Sequence, residues 1–540
     1  MLCGVSITDK IGELMSGQQK ESLNFAPAAS NAAGASGATV IVGAGPAGLT
    51  AAHELSAAGR PVVIVEQDPQ HVGGIARTVS YKGFRFDIGG HRFFSKNAEI
   101  EKMWSDILGD RLLERERLSR IYYRGQFFKY PLETWDALSK LGLLQSAACM
   151  MSYAAARLRP KREIRSFEDW VVNAFGRRLY ETFFRSYTEK VWGIPCSEIS
   201  ADWAAQRIKD LSMRVLIRRA LGLGRGNGPV IKTLIDRFRY PAQGPGAMWE
   251  ELARTVQSRG AALKMGESAV GIQRGPGGVK SITTSAADGN HTYSGSHFIS
   301  TMPVRELVGA LDPAAPSEVA QAAGSLRYRD FITVALIIDT PELFPDNWIY
   351  IHEPSVGVGR IQNFKNWSPE MVPDSRYTVL GLEYFCFDSD SMWSTADADL
   401  VAQATREIAK LGLAKEAQVV DGTVVRQRAA YPVYDGDYRR AVDVIREFVE
   451  REMPNLQLVG RNGMHKYNNQ DHAMMTGLMA ARNIMGASYD LWRVNSDAQY
   501  LEEESGAEQG SRMVPRRIES EPVSTPEEHP TVALGSASGR

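Results

Sequence analysis

Runs of apolar residues near the start of the chain predict two buried strands. The segments 39–42 (TVIV) and 62–65 (VVIV) consist wholly of β-branched residues, which is typical of parallel strands that are covered on both faces. Three later segments, 166–187, 399–411 and 471–484, have the apolar spacing of helices. Alternating strands and helices predict an α/β fold, with a second lobe of α+β type formed by the intervening chain.

Both ends of the chain lack this apolar pattern. Residues 1–38 have neither the basic start nor the continuous apolar centre of a secretory signal. From about residue 501 the chain becomes rich in Glu, Ser, Pro and Gly, and such segments bury too little apolar surface to offset the entropy lost on ordering. We therefore predict a disordered leader and a disordered tail.

Composition excludes several classes of protein. The 540 residues include 62 basic and 63 acidic side chains, so no large net charge attracts the chain to nucleic acid or to a membrane. The most apolar stretch, 141–156, falls short of the roughly 18 to 20 residues that span a bilayer, and we interpret it as a buried or surface helix. The four cysteines form no C-x-x-C pair, so we predict no metal site, no disulfide framework and a reducing, cytoplasmic location.

A glycine-rich turn between the two predicted strands has the pattern of a dinucleotide-binding site. In TVIVGAGPAGLTAAHELSAAGRPVVIVE, Gly43 permits a tight turn, Gly45 lets the backbone approach a pyrophosphate, and Gly48 lets the helix lie close to the sheet. Glu66, at the end of the second strand, can accept a hydrogen bond from a ribose hydroxyl. The unit predicts a bound dinucleotide, and a turn that serves packing alone is the alternative.

Further glycine segments indicate which dinucleotide is bound. The segments 73–78 (GGIART) and 86–91 (FDIGGH) resemble the FAD-binding pattern that amine oxidases and phytoene desaturases share, and a third glycine site follows in 456–486. We therefore predict FAD in a Rossmann-like domain that is discontinuous in sequence. The predicted cofactor-binding residues are Gly43, Gly45, Gly48, Glu66, Gly73, Gly74, Arg77, Gly90, His91, Gly460, Arg461, Asn469, Gln470 and Asp471.

This organisation divides the chain into alternating parts of an FAD-binding domain and an inserted substrate-binding region. The predicted parts are the leader (1–38), the N-terminal part of the FAD domain (39–100), a mostly helical substrate or cap region (101–240), a return segment of the FAD domain (241–310), a substrate-domain sheet (311–440), a C-terminal FAD segment (441–490) and the tail (491–540). Such an arrangement places a ligand between domains.

Collinear motifs along the chain resemble those of one particular family. They include GGHRFFS at Gly89, YTEKVWG at Tyr187, RYPAQGPGAMW at Arg239, GRIQNFKNWSP at Gly359 and HKYNNQDH at His465. Together they resemble the UDP-galactopyranose mutases, most closely the eukaryotic members around the terminal motif. The resemblance implies that the N5 atom of reduced FAD forms a covalent adduct with the anomeric carbon of a nucleotide sugar, without net oxidation or reduction.

The resemblance also assigns roles to individual side chains. A departing nucleoside diphosphate needs arginines and hydroxyl donors in a cleft that contains little water. The candidates are Arg207 and Arg360 for the diphosphate, Tyr431 and Tyr467 as hydroxyl donors, Trp192 in the substrate cleft and His91 against the flavin. Each also has a plainer interpretation, as a surface arginine, a buried tyrosine, a core tryptophan or a structural histidine.

Two other functions stay open at this point. An oxidoreductase similar to amine oxidases, protoporphyrinogen oxidases or desaturases shares the N-terminal motifs, and a flavin-binding protein without turnover is the third alternative. We favour a mutase, an isomerase of polysaccharide biosynthesis, because GRNGMHKYNNQDH lacks the small residues and aromatics of flavin amine oxidases. The expected partner is a nucleotide sugar, with NAD(P)H as candidate reductant, and neither nucleic acid nor an integral membrane segment is expected. The nucleobase, the sugar and the oligomeric state are not predicted.

Overall fold

The computed structural model describes residues 37–130, 134–201, 203 and 237–495, without the side chains of 134, 135 and 138. The strands are β1 Thr39–Val42, β2 Val62–Glu66, β3 Thr78–Tyr81, β4 Phe84–Asp87, β5 Leu112–Glu116, β6 Ser119–Tyr123, β7 Gln126–Lys129, β8 Arg237–Pro241, β9 Ala262–Met265, β10 Ser268–Gly275, β11 Gly278–Ala286, β12 Gly289–Ser294, β13 His297–Ser300, β14 Leu311–Asp312, β15 Tyr328–Ile338, β16 Trp348–Ile351, β17 Arg360–Asn363, β18 Thr378–Cys386, β19 Val419–Pro432 and β20 Leu456–Leu458. The helices are α1 Pro46–Ala57, α2 Ala98–Leu108, α3 Thr134–Leu141, α4 Leu143–Leu158, α5 Phe167–Phe175, α6 Arg177–Leu179, α7 Ser186–Trp192, α8 Gly246–Ser258, α9 Val304–Gly309, α10 Ser317–Ser325, α11 Phe364–Trp367, α12 Asp397–Lys410, α13 Tyr438–Glu452 and α14 Gln470–Ile484.

A five-stranded parallel sheet forms the centre of the first lobe. Its strand order is β20-β13-β1-β2-β9, and every neighbouring pair is parallel. All residues of β1 and β2 are buried, as expected for strands covered on both faces. Because β9, β13 and β20 come from later parts of the chain, the prediction of an α/β domain that is discontinuous in sequence is confirmed. A separate four-stranded sheet has the order β12-β11-β10-β14.

Helix α14 crosses α1 at unusually short range. A Cβ atom at Gly477 would lie 2.1 Å from the backbone oxygen of Ala47, so glycine is required for this approach. The residues of α14 between Asp471 and Ala481 are all buried. The helix therefore belongs to the core of the first lobe, together with the parallel sheet and α1.

A seven-stranded mixed sheet forms the second lobe. Its strand order is β19-β15-β18-β17-β16-β6-β7, and only the β16–β6 pair is parallel. Helix α12 packs against this sheet through Leu400 and Ile408. In a separate cluster, Phe331 of β15 and Phe385 of β18 pack with Ile88, which directly follows β4. This packing holds the second lobe against the segment predicted to bind the cofactor.

The region predicted as mostly helical, 101–240, also contributes strands to the second lobe. Strands β6 (SRIYY) and β7 (QFFK) are rich in aromatic residues, which favour extended structure. Arg124 and Gly125 between them have φ values of +51° and +74°, the backbone of a tight two-residue hairpin turn. This short hairpin was not predicted because helical patterns flank it on both sides in the sequence. The predicted domain boundaries remain predictions.

The three predicted helices are present, although the first is interrupted. Helices α12 and α14 match two of them. In segment 166–187, helix α5 begins after Ser166, whose hydroxyl accepts a hydrogen bond from the N–H of Asp169 (3.2 Å). The helix ends at Gly176, which has a φ of +84° and is therefore in a conformation that glycine adopts without strain. The helical pattern in the sequence continues across this break because the residues after it form α6, a π-helical turn and α7.

The most apolar stretch of the sequence forms the end of α3 and most of α4. Helix α4 buries Cys149 and Tyr153 and exposes much of its remaining surface, so the prediction of a surface helix is confirmed. Among the described residues, no helix combines the length and the apolar character needed to cross a membrane.

Residues 491–495, which were predicted as the start of a disordered tail, are ordered. Leu491 and Val494 are buried in the core of the first lobe. Lys466 donates hydrogen bonds from Nζ to the carbonyl oxygens of Trp492 (2.8 Å) and Val494 (2.6 Å). Ordered packing thus continues to the last described residue of this region, because these apolar side chains fill the core. The predicted leader up to residue 36, and the tail from residue 496, lie outside the described residues.

Candidate functional site

The turn after β1 and the first turn of α1 form a surface without side chains. Gly43 has a φ of +97°, and its oxygen would lie 1.9 Å from a Cβ atom at Gly48. A Cβ atom at Gly45 would have the Cα atom of Gly74 as its nearest neighbour, at 3.9 Å. The start of α1 is thereby left accessible, and its N–H groups can receive a phosphate there.

Glu66 closes the same turn from the end of β2. It is 7% exposed and accepts hydrogen bonds from the N–H groups of Ala44 (2.7 Å) and Asp68 (2.9 Å). Burial raises the pKa of Glu66, and the two N–H groups oppose this rise. Since a carboxylate offers about four lone-pair sites, Glu66 can accept a further hydrogen bond from a ribose hydroxyl.

Arg77 fixes the second glycine segment. Its Nη1 atom donates to the carbonyl oxygen of Gly74 (3.0 Å) and to Oε1 of Gln427 (2.7 Å). Gly73, with a φ of +98°, leaves room for Trp249, whose ring would lie 2.7 Å from a Cβ atom at this position. The guanidinium group therefore positions the glycine turn.

A cavity lies between the segment after β4, strands β16 and β17, and the start of α14. It contains about 1010 Å³ of atom-free space, part of which is open to solvent. Its lining includes the predicted residues Gly90, His91, Arg360, Tyr431, Arg461, Tyr467, Asn469, Gln470 and Asp471. Its lining also includes Arg92, Phe93, Phe94, Trp348, Tyr350, Gln362 and Trp367, which the sequence did not single out.

Several buried polar atoms of the lining residues have no hydrogen-bond partner among the described residues. They include Nδ1 of His91, Nε1 of Trp348, Oε1 of Gln362 and Oε1 of Gln470. A buried polar group without a partner costs about 1–3 kcal/mol, so a polar ligand that completes these hydrogen bonds would be bound favourably. Together with the side-chain-free surface at Gly45, this set of donors and acceptors fits FAD.

Arg360 projects from β17 and is held by a buried acid on the neighbouring strand. Its Nε atom donates to Oε2 of Glu383 at 2.5 Å, and Nε2 of Gln362 donates to Oε1 of the same carboxylate at 2.8 Å. Burial raises the pKa of Glu383, while Arg360 and Gln362 oppose this rise. The hydrogen bonds of Arg360 to the described residues involve Nε alone, which leaves its two terminal nitrogens for a ligand.

Arg461 lies beside two stacked tyrosines. The ring centroids of Tyr431 and Tyr467 are 5.7 Å apart, and the Arg461 Cζ atom lies 5.3 and 4.9 Å from them. The guanidinium group also donates to the carbonyl oxygens of Asn468 (2.9 Å) and Ala430 (3.1 Å). Burial, and then Tyr467, raise the pKa of Tyr431 to about 12. The hydroxyl of Tyr431 therefore stays protonated and can donate a hydrogen bond.

A bulge in β19 directs Tyr431 toward the cavity. The pairing of β19 with β15 shifts register here, and Ala429 has a φ of +50°, an uncommon value for a residue with a side chain. The Asp330 carboxylate accepts from the N–H of Ala429 (2.7 Å), and Nδ2 of Asn462 donates to the carbonyl oxygen of Ala429 (2.8 Å). Bulges commonly re-aim a side chain in this way.

His91 is neutral in its present surroundings. Burial, followed by the positive charges of Arg461 and Arg360, lowers the pKa of His91 to about 3. An imidazole with this pKa does not carry a proton as a cation near pH 7. His91 is thus suited to accept or donate a hydrogen bond.

The predicted residues Asn469, Gln470 and Asp471 form the start of α14. The N–H of Asn469 donates to Nδ1 of His472 (3.3 Å), which closes the first turn. Asp471 is 2% exposed, and burial raises the pKa of its carboxyl to about 7. This end of the helix carries its partial positive charge and borders the cavity.

Trp192 and Gly460, two of the predicted residues, do not line the cavity. Trp192 is buried in a hydrophobic cluster, with its ring centroid 6.4 Å from that of Tyr431, so it packs beside this tyrosine. Gly460 has a φ of +81°, and a Cβ atom there would lie 3.2 Å from Cβ of Ala47, so it serves the packing of the first lobe. Arg207 lies outside the described residues.

Two residues of the site that were not predicted could have been identified from the pattern of their strands. Gln362 lies two positions after Arg360 in β17, and alternate residues of a strand share one face. Glu383 is the single acid in the apolar strand TVLGLEYFC, where all residues are buried. A lone buried acid requires a partner, and Arg360 lies directly opposite in the strand register.

Asp87, which ends β4, gives the fold a specific pH dependence. The carboxyl is fully buried and accepts hydrogen bonds from the hydroxyls of Tyr240 (2.6 Å) and Thr78 (2.8 Å). Burial raises its pKa to about 7, so between about pH 4 and 7 the folded protein binds more protons than the unfolded chain. The contribution of Asp87 to the free energy of unfolding is therefore most favourable at low pH and is lost as the pH rises toward 7. We expect the free energy of unfolding of wild type, relative to Asp87→Asn, to fall by up to about 4 kcal/mol across this range.

Urea unfolding of the flavin-free proteins at several pH values measures this difference. Asp443→Asn, which removes an exposed carboxylate from α13, is the matched control. The difference in the free energy of unfolding between wild type and this variant should stay nearly constant between about pH 4 and 7. Parallel pH profiles for wild type and Asp87→Asn would show that Asp87 has an ordinary pKa in the folded state.

Comparisons with known proteins agree with this geometry. The family described as flavin containing amine oxidoreductase matches residues 46–485, more than half of the chain. A Klebsiella pneumoniae protein named probable UDP-galactopyranose mutase is 27% identical over 173 residues, which are 30% of this chain and 42% of that protein. The matched part thus spans less than half the length of this curated relative.

Solved structures share the fold over most of the chain. Reduced UDP-galactopyranose mutase has a TM-score of 0.74 and 21% identity, over 87% of this chain and 100% of that structure. Putrescine oxidase bound to putrescine has a TM-score of 0.55 and 17% identity, over 84% of this chain and 99% of that structure. At these identities the likeness establishes the fold alone, because one fold hosts many reactions.

Proposed function

Since the chain belongs to the flavin-containing amine oxidoreductase family, we propose that it binds FAD and, in the reduced state, interconverts ring forms of a nucleotide-linked sugar. The proposal makes the enzyme an isomerase without net oxidation or reduction. It is supported by the sequence similarity to a UDP-galactopyranose mutase, by the shared fold and by the character of the cavity. A nucleotide-sugar substrate, a role in polysaccharide biosynthesis, NAD(P)H as reductant and a cytoplasmic location are parts of this proposal.

The charge of the cavity is the observation that carries the proposal. Among the described lining residues the charged ones are Arg92, Arg360, Arg461 and the acid Asp471, and Glu383 pairs with Arg360. Guanidinium groups bind phosphate oxygens through charge-assisted hydrogen bonds, so this lining suits a nucleoside diphosphate. A cationic amine would be repelled by this lining.

Different side chains of this protein would have different roles in such a reaction. When bound, reduced FAD would supply the nucleophile, held by the glycine surface at Gly45, by Glu66 and by the start of α14. Arg360, fixed by Glu383, would hold the diphosphate as it departs and keep it in place for the return step. The protonated hydroxyl of Tyr431 would donate to the same phosphates. His91 would contribute a hydrogen bond as a neutral imidazole.

The decisive experiment offers the reduced holoenzyme a panel of nucleotide sugars without oxygen. We expect a new ring isomer of at least one of them by anion-exchange chromatography, with many turnovers for each flavin and no consumption of reductant beyond the first reduction. The oxidised holoenzyme is the control and should form no isomer. Absence of any isomer, together with reduction of oxidised flavin by an amine, a porphyrinogen or an isoprenoid, would overturn the proposal in favour of the oxidoreductase alternative.

The oxidoreductase alternative rests on the family name and on the likeness to putrescine oxidase. In that case the enzyme would pass a hydride from its substrate to FAD and then to an acceptor. The basic cavity argues against a cationic substrate, so an oxidoreductase with this lining would act on a neutral or anionic compound. The same experiment distinguishes the isomerase from the oxidoreductase, because only an oxidoreductase substrate would reduce the oxidised flavin.

A further inference from the structure

Helix α4 presents an apolar face to solvent that the proposed function does not use. Leu143, Leu144, Met151 and Leu158 are 92%, 89%, 68% and 83% exposed. Large exposed apolar patches on folded proteins mark interaction surfaces. No described residue covers these four side chains, which follow one another at spacings that place them along the same side of a helix.

The opposite face of α4 anchors the helix to the fold. Cys149 and Tyr153 are buried in it. A Cβ atom at Gly176 would lie 2.7 Å from the backbone nitrogen of Tyr153, and the N–H of Arg178 donates to Oγ of Ser152 (3.1 Å). The exposed apolar face is therefore presented in a fixed orientation.

The segment that follows α4 carries a net positive charge, with four basic residues and one acid, Glu163, in 159–165. Helix α4 contains no Asp or Glu, and Arg159, Lys161, Arg162 and Arg165 follow its last turn. Lys161 and Arg165 make ion pairs with acids of the same region, whereas no ion pair of Arg159 or Arg162 is present among the described residues. The apolar stripe thus ends in a basic cluster with uncompensated charge.

We propose that α4 docks the enzyme on an anionic membrane surface. A helix of 16 residues rises only about 24 Å, so it would lie in the plane of the interface with its leucine and methionine side chains among the acyl chains. Stable peripheral binding needs an apolar and an electrostatic contribution together, and α4 with its basic cluster offers both. The partner is a bilayer that contains anionic phospholipid.

A second copy of the chain fits this face less well. Two copies related by a twofold axis would place the same surface against itself. Neither copy would then offer acids on α4 to pair with Arg159 and Arg162 of the other. Anionic lipid headgroups supply the missing negative charge, which favours the membrane over self-association.

Vesicle flotation of the holoenzyme tests the proposal. We expect binding to vesicles of phosphatidylcholine with about 30% phosphatidylglycerol, and at least about tenfold weaker binding to phosphatidylcholine alone. Leu144→Glu/Met151→Glu should weaken binding to the anionic vesicles at least about tenfold. Arg159→Glu/Arg162→Glu should have a similar effect and should also abolish the dependence on anionic lipid.

A matched control introduces the same charge elsewhere. Val270 in β10 is 50% exposed, so Val270→Glu should bind vesicles as wild type does. Flavin content and the unfolding temperature of each variant verify the fold, and sedimentation gives its mass. Absence of vesicle binding by wild type would overturn the proposal, as would loss of a dimer in Leu144→Glu/Met151→Glu with unchanged vesicle binding.

Discussion

Gly45→Ala is expected to weaken FAD binding by roughly tenfold to a hundredfold while leaving the flavin-free protein as stable as wild type. Gly45 has φ −80° and ψ −176°, which alanine adopts without strain. The added Cβ atom would have no protein atom closer than the Cα of Gly74 at 3.9 Å. The methyl group would instead occupy the space of the pyrophosphate, and overpacking of this kind costs about 1–3 kcal/mol. Flavin titration and thermal unfolding of the apoprotein measure the two quantities.

Two other glycines provide controls for this experiment. A Cβ atom at Gly48 would lie 1.9 Å from the oxygen of Gly43, so Gly48→Ala should destabilise even the flavin-free protein. A Cβ atom at Gly324 in α10 would have no neighbouring atom of the described residues within 4 Å, and Gly324→Ala should retain both stability and flavin. Wild-type flavin affinity in Gly45→Ala would mean that no pyrophosphate lies against the first turn of α1.

Arg360→Ala is expected to lower kcat/KM of the reduced enzyme for the proposed nucleotide sugar roughly 30- to 900-fold, which corresponds to about 2 to 4 kcal/mol of lost transition-state stabilisation. The physical reason is the loss of a preorganised cation from the departing diphosphate. FAD content should stay unchanged, because the glycine surface and Glu66 lie on the other lobe. Initial rates of isomer formation, measured with each protein at equal flavin concentration, give this difference.

Removing Arg360 alone leaves the Glu383 carboxylate buried without its cationic partner, which typically costs 3–5 kcal/mol of stability. The variant Arg360→Ala/Glu383→Gln removes both charges and separates lost folding from lost catalysis. Arg376→Ala breaks an exposed ion pair with Asp339 and should change neither property measurably. Turnover near the wild-type rate in the folded double variant would contradict the assignment of Arg360.

The first lobe could be predicted from the sequence because its signals are local. The unit β1-α1-β2 follows from β-branched runs, three glycines and one acid within thirty residues of chain. The hairpin of β6 and β7 was missed because each strand is short and its burial depends on a neighbouring sheet made from 348–386. The sequence Arg124-Gly125 between the two strands could have been used to predict the hairpin turn.

The candidate site was only partly predictable, because its geometry depends on pairings between distant strands. Arg360 could be named from its motif, but the acid that holds it lies 23 residues later on the adjacent strand. The strained backbone at Ala429, which directs Tyr431, arises from a register shift that no local pattern predicts. Trp192 was placed in the cleft through the family resemblance, with a core tryptophan as the alternative, and its burial beside Tyr431 depends on contacts between distant segments.

The parallel sheet that carries the glycine turn is completed by its last strand, β20, and by α14, which the chain reaches only near its C-terminal end. A ribosome adding about 5–20 residues per second therefore synthesises β1 on the order of tens of seconds before α14 exists. During this interval the glycine turn after β1 lacks the helix that packs against α1. We therefore expect nascent chains that end before α14 to bind flavin more weakly than chains that include it.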